Sequence, residues 1–214
     1  MDGHLLRYDK KKRYCFVDVE TFNLCLNMEY NRPWQYGLVE VVGDEIVNKE
    51  EFLVKWPKSD FVKCSQEAAR INHYNEIKVD AQGITPEEAF ERFSPMFEQA
   101  DFVVGHNILG FDLYLIRDHY HRVGRDWKFL MPKMLDTKAL MTAVKTDYKF
   151  NPDDDLLKFQ YQLTNTRHKG VKTSLLTCLK HYGIDFDPAL LHDALYDIEK
   201  NVEIWNKMKF DLEI

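Results

Sequence analysis

Three groups of acidic and histidine side chains stand out in this sequence. Asp18 and Glu20 lie two apart in a run of aromatic and β-branched residues over 14–20 that reads as a strand. The strand period of two puts both carboxylates on one face, with Cys15, Val17 and Val19 on the other. Side by side on a core strand, two carboxylates repel each other unless a cation sits between them. The same spacing recurs at Asp197–Glu199 and Asp211–Glu213, so the strand context carries the information, and a solvated edge strand is the other reading. Asp112 follows a turn, His106-Asn107-Ile-Leu-Gly-Phe111, and shares a helical face with Ile108 and Leu115, although a first-turn acid also suits a helix dipole. His192 precedes Asp197 by five residues at the entrance to the last helix, a spacing that His4–Asp9 and His121–Asp126 also show. Carboxylate oxygens without a thiolate suit hard Mg²⁺ or Mn²⁺, and an imidazole that titrates near neutrality suits a general base.

These residues need a scaffold, and the rest of the chain supplies one. Residues 34–42 and 45–54 read as two further strands joined by Gly43-Asp44. A loop with some helix runs to residue 83, and Thr85-Pro86-Glu87-Glu88 then opens a helix to about Gln99. A short strand over 101–105 leads through Asn107, a candidate N-cap, into a helix over 108–121. Residues 129–136 read as a strand continuing into a helix from Thr137, and 146–170 as an irregular polar segment in which Asp153-Asp154-Asp155 forms a solvated loop. Helices over 173–182 and about 189–208 close the chain, the first stopped by Gly183. Strands followed by strand–helix alternation and terminal helices give an α/β domain with a mixed sheet.

Composition bounds the partners. The 214 residues carry 29 basic and 35 acidic side chains, a net charge of -6, with 45% hydrophobic residues, which suits one globular domain with a core of its own. No run approaches the ~20 apolar residues of a membrane helix. The first residues lack the apolar centre of a signal peptide, and Cys15, Cys25, Cys64 and Cys178 form no Cys-x-x-Cys pair, so a reducing cytoplasm is the expected setting. Acidity alone argues against nucleic acid, yet residues 156–184 contain no acidic side chain and carry Lys158, Arg167, Lys169, Lys172 and Lys180. That stretch could track a phosphate backbone or be a solvated basic loop. The pair His119 and His121 lies two apart on a helix, so the two do not face one way and make no metal pair.

Taken in order, the acidic groups resemble the DnaQ-like (DEDDh) 3′→5′ exonuclease family on the ribonuclease H-like fold. Its pattern of Asp-x-Glu, a later Asp after a strand-to-helix turn, and His-x-x-x-x-Asp is met by Asp18, Glu20, Asp112, His192 and Asp197. Further likeness lies in Glu67-Ala-Ala-Arg-Ile-Asn72, in Phe102-Val-Val-Gly-His-Asn107, in Leu135-Asp136-Thr137 and in Ser174 to Ile184, so that it spans roughly 13–208 of a single 1–214 domain. The resemblance implies an α/β ribonuclease H-like fold, a mixed five-stranded sheet flanked by helices. It also implies two divalent metal ions, Mg²⁺ or Mn²⁺, with Asp18 bridging, Glu20 and Asp197 on the nucleophile side and Asp112 on the other. His192 would be the general base, and single-stranded DNA or RNA 3′ ends the substrate, cut to nucleoside 5′-monophosphates. Thr21, Phe22, Asn72, Asn107 and Phe111 would contact the terminal nucleotide, Phe22 and Phe111 by flanking its base. Two positions depart from the family: Phe22-Asn23 replaces small residues, and Asn72 stands where many relatives have His, with His73 one place later. A proofreading subunit bound to a polymerase and a ribonuclease H-like module that binds without cutting are the alternatives, and a polymerase or a second copy in a homodimer the candidate protein partners. The presence of all five residues speaks against the last.

Overall fold

β1 (Arg13–Thr21) is the centre of the sheet, and its length relative to its neighbours explains where the acids lie. The computed structural model describes residues 10–27, 29–60, 64–151 and 153–212; residues 1–9, read above for a signal segment, lie outside them. Five strands are ordered β3-β2-β1-β4-β5. β2 (Pro33–Val42) runs antiparallel to β1, with Asp18 opposite Gly37 and Glu20 opposite Gln35, and β3 (Glu45–Leu53) runs antiparallel to β2. β4 (Phe102–Gly105) is parallel to β1 but pairs only with Tyr14, Cys15 and Phe16, and β5 (Met134–Asp136) is parallel to β4. β1 therefore outruns β4, and Asp18 and Glu20 project beyond the end of a parallel neighbour. Crevices at the carboxyl ends of parallel strands are where α/β sheets commonly build sites.

The pleat sorts the core into two halves. Val17 and Val19 with Tyr36 and Leu38 pack against α3 (Pro86–Gln99) and α4 (Asp112–Arg122) through Phe90, Phe93, Ile116 and Tyr120. Tyr14 and Phe16 with Val39 and Val41 pack against α5 (Thr137–Thr146), α7 (Leu175–Tyr182) and α8 (Ala194–Met208) through Leu140, Leu179, Ile198, Val202 and Trp205. α1 (Gln66–Asn72) and α2 (Glu76–Gln82) fill the connection between β3 and α3, and α6 (Leu156–Asn165) that between α5 and α7. The sheet is mixed and helix-flanked, as expected. Among the described residues no helix is long and apolar enough to cross a membrane.

Local chemistry set most of the ends. α3 starts in a reciprocal capping box between Thr85 and Glu88 and ends at Gln99, as its sequence predicts. Gly43, with φ at 63°, turns the β2–β3 hairpin, and Gly183 with φ at 60° closes α7.

Elsewhere the structure differs. α4 begins at Asp112 rather than 108, and Asn107 does not cap it: the residue is left-handed (φ 72°), and its N–H is taken by Asp136. Pro132 cannot donate to a ladder, and residues 128–133 coil into a 3₁₀ helix that shortens the last strand to 134–136. The segment read as irregular contains α6, whose buried Phe159, Gln160 and Leu163 mark one helical face and whose first turn Asp155 caps. α8 starts at Ala194, with Asp193 as its cap, instead of near 189.

Candidate active site

Glu20, His192 and Asp197 converge at the end of β1: each brings a potential ligand atom within 4.8 Å of the others'. Their meeting depends on how α8 enters. His192 adopts a left-handed backbone (φ 70°) and its N–H donates to Asp197 Oδ2 at 3.1 Å, which binds the histidine to the first turn of the helix that carries the acid. Asp193 caps that turn by accepting from the Tyr196 N–H, while its other oxygen accepts from Gln35 Nε2 at 2.9 Å. The same amide nitrogen donates to Glu51 Oε1 at 2.8 Å. Gln35, the register partner of Glu20, thus ties the start of α8 to the sheet beneath it.

Asp112 arrives from the opposite side, delivered by the turn 106–111. Asp136, buried at the end of β5, shapes that turn. Its Oδ1 accepts the N–H groups of Asn107, Lys138 and Ala139, and its Oδ2 that of Leu109. One carboxylate therefore caps α5 and folds the β4–α4 turn together.

The four acids disfavour one another's charge. Burial pushes Asp18 well above the usual carboxylate range, and the charges of Asp112, Glu20, Asp197 and Asp193 push it further. Glu20 is raised by burial and then by Asp197, with the Asn72 side chain pulling the other way. Asp112 is pushed up to about 7, mainly by burial, against the N–H groups it accepts, with Asp136 adding to the rise. Asp197 is pushed up to about 6 by burial, opposed by the His192 N–H. Carboxyls raised in this way and gathered at a sheet end are a group that could hold a cation, whose charge would offset their repulsion. Asp197 Oδ1 is also buried with no hydrogen-bond partner, an acceptor that a cation would satisfy. The donor set, all oxygen apart from one imidazole, fits hard divalent ions. His192 is exposed, and desolvation followed by the nearby charge of His73 holds its imidazole below the ordinary value.

A family model described as exonuclease, of the ribonuclease T type, matches residues 15–205. The chain belongs to the DnaQ-like exonuclease family. No curated protein sequence matches it significantly. Among solved structures it is similar to E. coli Exonuclease I in complex with a 5cy-dT13 oligonucleotide, at 20% identity and a TM-score of 0.69, covering 94% of this chain and 40% of that one. The complex of E. coli Exonuclease I with a dA16 oligonucleotide gives 20% and 0.70, over 91% and 40% of the two chains. The zinc-bound complex of that enzyme with single-stranded DNA gives 19% and 0.71, over 94% and 41%. The exonuclease domain thus spans about two fifths of the length of these Exonuclease I chains, and the likeness is one of fold.

The residues expected to contact substrate divide. Asn72 is buried beside the acids, its Nδ2 donating to the Thr21 carbonyl at 2.7 Å. The Thr21 hydroxyl turns back to the Asn23 carbonyl at 2.6 Å. Asn107 accepts from Lys138 Nζ at 3.0 Å through its side chain. Phe111 is half-buried, the residue just before Asp112. Phe22 does not flank an open site: it is 1% exposed, edge-on to Tyr74 at 5.2 Å, because the chain turns inward after Thr21 and takes the ring into the core.

Asp136, Asp193, Gln35 and Gly37 carry no role in the sequence reading. Asp136 and Asp193 each stand immediately before a helix, the ordinary signal of an N-cap, and Gly37 is an isolated glycine inside a strand, the signal of close backbone approach. Gln35 carries no such signal. The histidines 119 and 121 form no pair: His119 is buried, its Nδ1 at 2.7 Å from the Tyr36 hydroxyl, whereas His121 is exposed.

Proposed function

We propose that this exonuclease domain hydrolyses the 3′-terminal phosphodiester of single-stranded or frayed nucleic acid, releasing nucleoside 5′-monophosphates in a reaction that needs divalent metal. The observation that carries this reading is the convergence of Glu20, His192 and Asp197 at the end of the strand that also bears Asp18. The family membership supports the reaction, and the fold shared with Exonuclease I structures that hold single-stranded DNA supports the substrate class.

Asp18, Glu20, Asp112 and Asp197 would hold two ions, Mg²⁺ or Mn²⁺. When bound, these acidify the attacking water and stabilise the departing 3′-oxygen. The protein does the rest. His192, exposed and held uncharged near neutral pH, takes the proton of the attacking water and passes it to solvent. Its backbone N–H, bonded to Asp197, ties the histidine's main chain to the first turn of the helix that carries the acid. Water oxygen bonds to phosphorus, the bond to the 3′-oxygen of the preceding nucleotide breaks, and that oxygen takes a proton from solvent and leaves as a hydroxyl. Asn72, anchored on the Thr21 carbonyl, would contact the terminal nucleotide.

Digestion of a 5′-labelled DNA strand and a matching RNA, with Mg²⁺, Mn²⁺ or chelator, tests this. A descending ladder that disappears in chelator and in Asp18→Ala is the expected result, with His192→Ala slowed about 10²–10⁴-fold, the usual weight of a general base. An intact strand in every lane with metal overturns it.

A further inference from the structure

Away from the acids, α5, α6 and the loop that follows α6 enclose a pocket of about 150 Å³ lined by Lys138, Thr142, Thr164, Thr166, His168 and Thr173, among others. No side chain that lines it is acidic, and the loop around it carries Arg167, Lys169 and Lys172. His168 Nε2 is buried without a hydrogen-bond partner. Lys138 gives one N–H to Asn107, which leaves two of its three donors. Thr142 and Thr164 commit their hydroxyl protons to the carbonyls of Lys138 and Gln160, and the side-chain nitrogens that line the pocket are those of Lys138 and His168. Cationic and imidazole donors without a carboxylate select an oxyanion.

Two hydrogen bonds join this pocket to the turn that delivers Asp112. Thr173 presents its carbonyl to His106 Nε2 at 2.9 Å, and Lys138 holds Asn107. His106 is kept neutral by burial, with its Nδ1 3.1 Å from the Thr137 hydroxyl, so the imidazole is a fixed strut between the loop and the end of β4. The pocket is therefore tied to the end of β4 and to the turn before Asp112, under the segment free of acidic residues.

We propose that the pocket under residues 166–173 binds a phosphate group. The inference rests on the exonuclease reading, which supplies two sources of that group: an internal phosphodiester of the strand being shortened, or the phosphate of a released nucleotide. Lys138 and His168 recognise either one.

Full-length wild type, His168→Ala, His168→Gln and Lys138→Gln are compared. Binding of a fluorescent thymidine 10-mer is followed against salt in chelator, together with thermal unfolding with and without inorganic phosphate or thymidine 5′-monophosphate. For an internal phosphodiester, Lys138→Gln lowers the slope of log affinity against log salt by about 0.7. His168→Ala then raises KM for the 10-mer roughly tenfold, the weight of one charge-assisted hydrogen bond. It leaves hydrolysis of the p-nitrophenyl ester of thymidine 5′-monophosphate, which has no phosphodiester beyond the one cut, unchanged. His168→Gln, which keeps an N–H donor, recovers most of the loss.

For a free nucleotide, phosphate raises the melting temperature of wild type and not of His168→Ala, while the salt slope stays the same. Equal slopes, equal KM and equal phosphate shifts in wild type and variants overturn the pocket. Failure of wild type to cut either substrate would overturn the exonuclease reading instead, because the phosphate shift and its loss in His168→Ala report on the pocket without catalysis.

Discussion

Gly37 and Ala194 meet backbone to backbone: a methyl group on Gly37 would lie 2.4 Å from the carbonyl carbon and oxygen of Ala194. Gly37 is also the register partner of Asp18, so the two share a face of the sheet. The first turn of α8 can therefore descend onto the strand pair beside the acids only because one strand position there lacks a side chain. That descent places His192 and Asp197 next to Glu20. The site is in this sense a helix–strand contact as much as a set of ligands.

Gly37→Ala tests that contact. All three atoms that crowd the new methyl, the carbonyl carbon and oxygen of Ala194 and the nitrogen of Leu195, are backbone, so no side-chain rotation relieves them and α8 must shift. Overpacking of this kind costs about 1–3 kcal/mol, measurable by urea unfolding. Activity should fall further than stability does, by roughly 10²-fold, because misplacing reacting groups by an ångström has that effect. Wild-type turnover in a folded Gly37→Ala domain would mean that α8 reaches its position by other contacts.

Gln35 makes a related prediction. Its amide is the hydrogen-bonded link between Asp193 and Glu51, two acids that would otherwise face each other unbridged. Gln35→Glu replaces the shared donor by a third carboxylate. We expect a loss of about 1–3 kcal/mol, the cost of stranding buried polar partners, larger at pH 8 than at pH 5, where the added acid can protonate. Unfolding free energies at the two pH values read it directly, and equal losses would argue against a charge effect.

Metal and pH should be linked through the same acids. Asp112 and Asp197 titrate near 7 and 6 in the folded state, against an ordinary carboxylate value near 3.8. Between about pH 4 and 7 the folded chain thus holds protons that the unfolded chain has released. In chelator the contribution of these acids to stability is full below pH 4 and is lost as pH rises to 7. Divalent metal competes with those protons, so its stabilising effect should grow over the same range, and Asp112→Asn should flatten the decline seen in chelator. His106 and His119, held down to about 4 and about 3 by burial, work in the opposite sense and destabilise the fold as pH falls below 6.5. The informative quantity is therefore the difference between wild type and Asp112→Asn in melting temperature, with Mn²⁺ and with chelator, at pH 5 and 8. A difference independent of pH would mean that Asp112 is not raised into this range.

What could be read from the sequence follows a physical division. Strand faces and capped helices are local: alternation fixed the orientation of Asp18 and Glu20, and Thr85 with Glu88 marked the start of α3 to the residue. The start of α4 was misplaced because a distant group decides it. Asp136, far along the chain, withdraws the N–H groups of Asn107 and Leu109 from any helix. Phe22 was misassigned for a similar reason, since an aromatic residue after an acidic strand end reads alike whether its ring faces outward or, as here, packs on Tyr74. α6 went unrecognised because polar residues flank its short apolar face, though Phe159, Gln160 and Leu163 show the period once the helix is known.

Asp136 yields the last prediction. It accepts four N–H groups, two from the turn that carries Asp112 and two from the first turn of α5. Asp136→Ala strands all four donors in a buried place and should cost roughly 3 kcal/mol or more. Asp136→Asn keeps one acceptor oxygen and turns an amide toward N–H groups, so it should retain one side of the junction and lose the other. If the carboxylate positions Asp112, Asp136→Asn will lower the apparent affinity for Mn²⁺ by about 10–100-fold, as loss of residues that orient metal ligands commonly does. Titration of Mn²⁺ against melting temperature measures that affinity without catalysis. An unchanged affinity in a destabilised Asp136→Asn would assign Asp136 to folding alone, with the Asp112 turn held by the packing of Ile108 and Leu109 in the core.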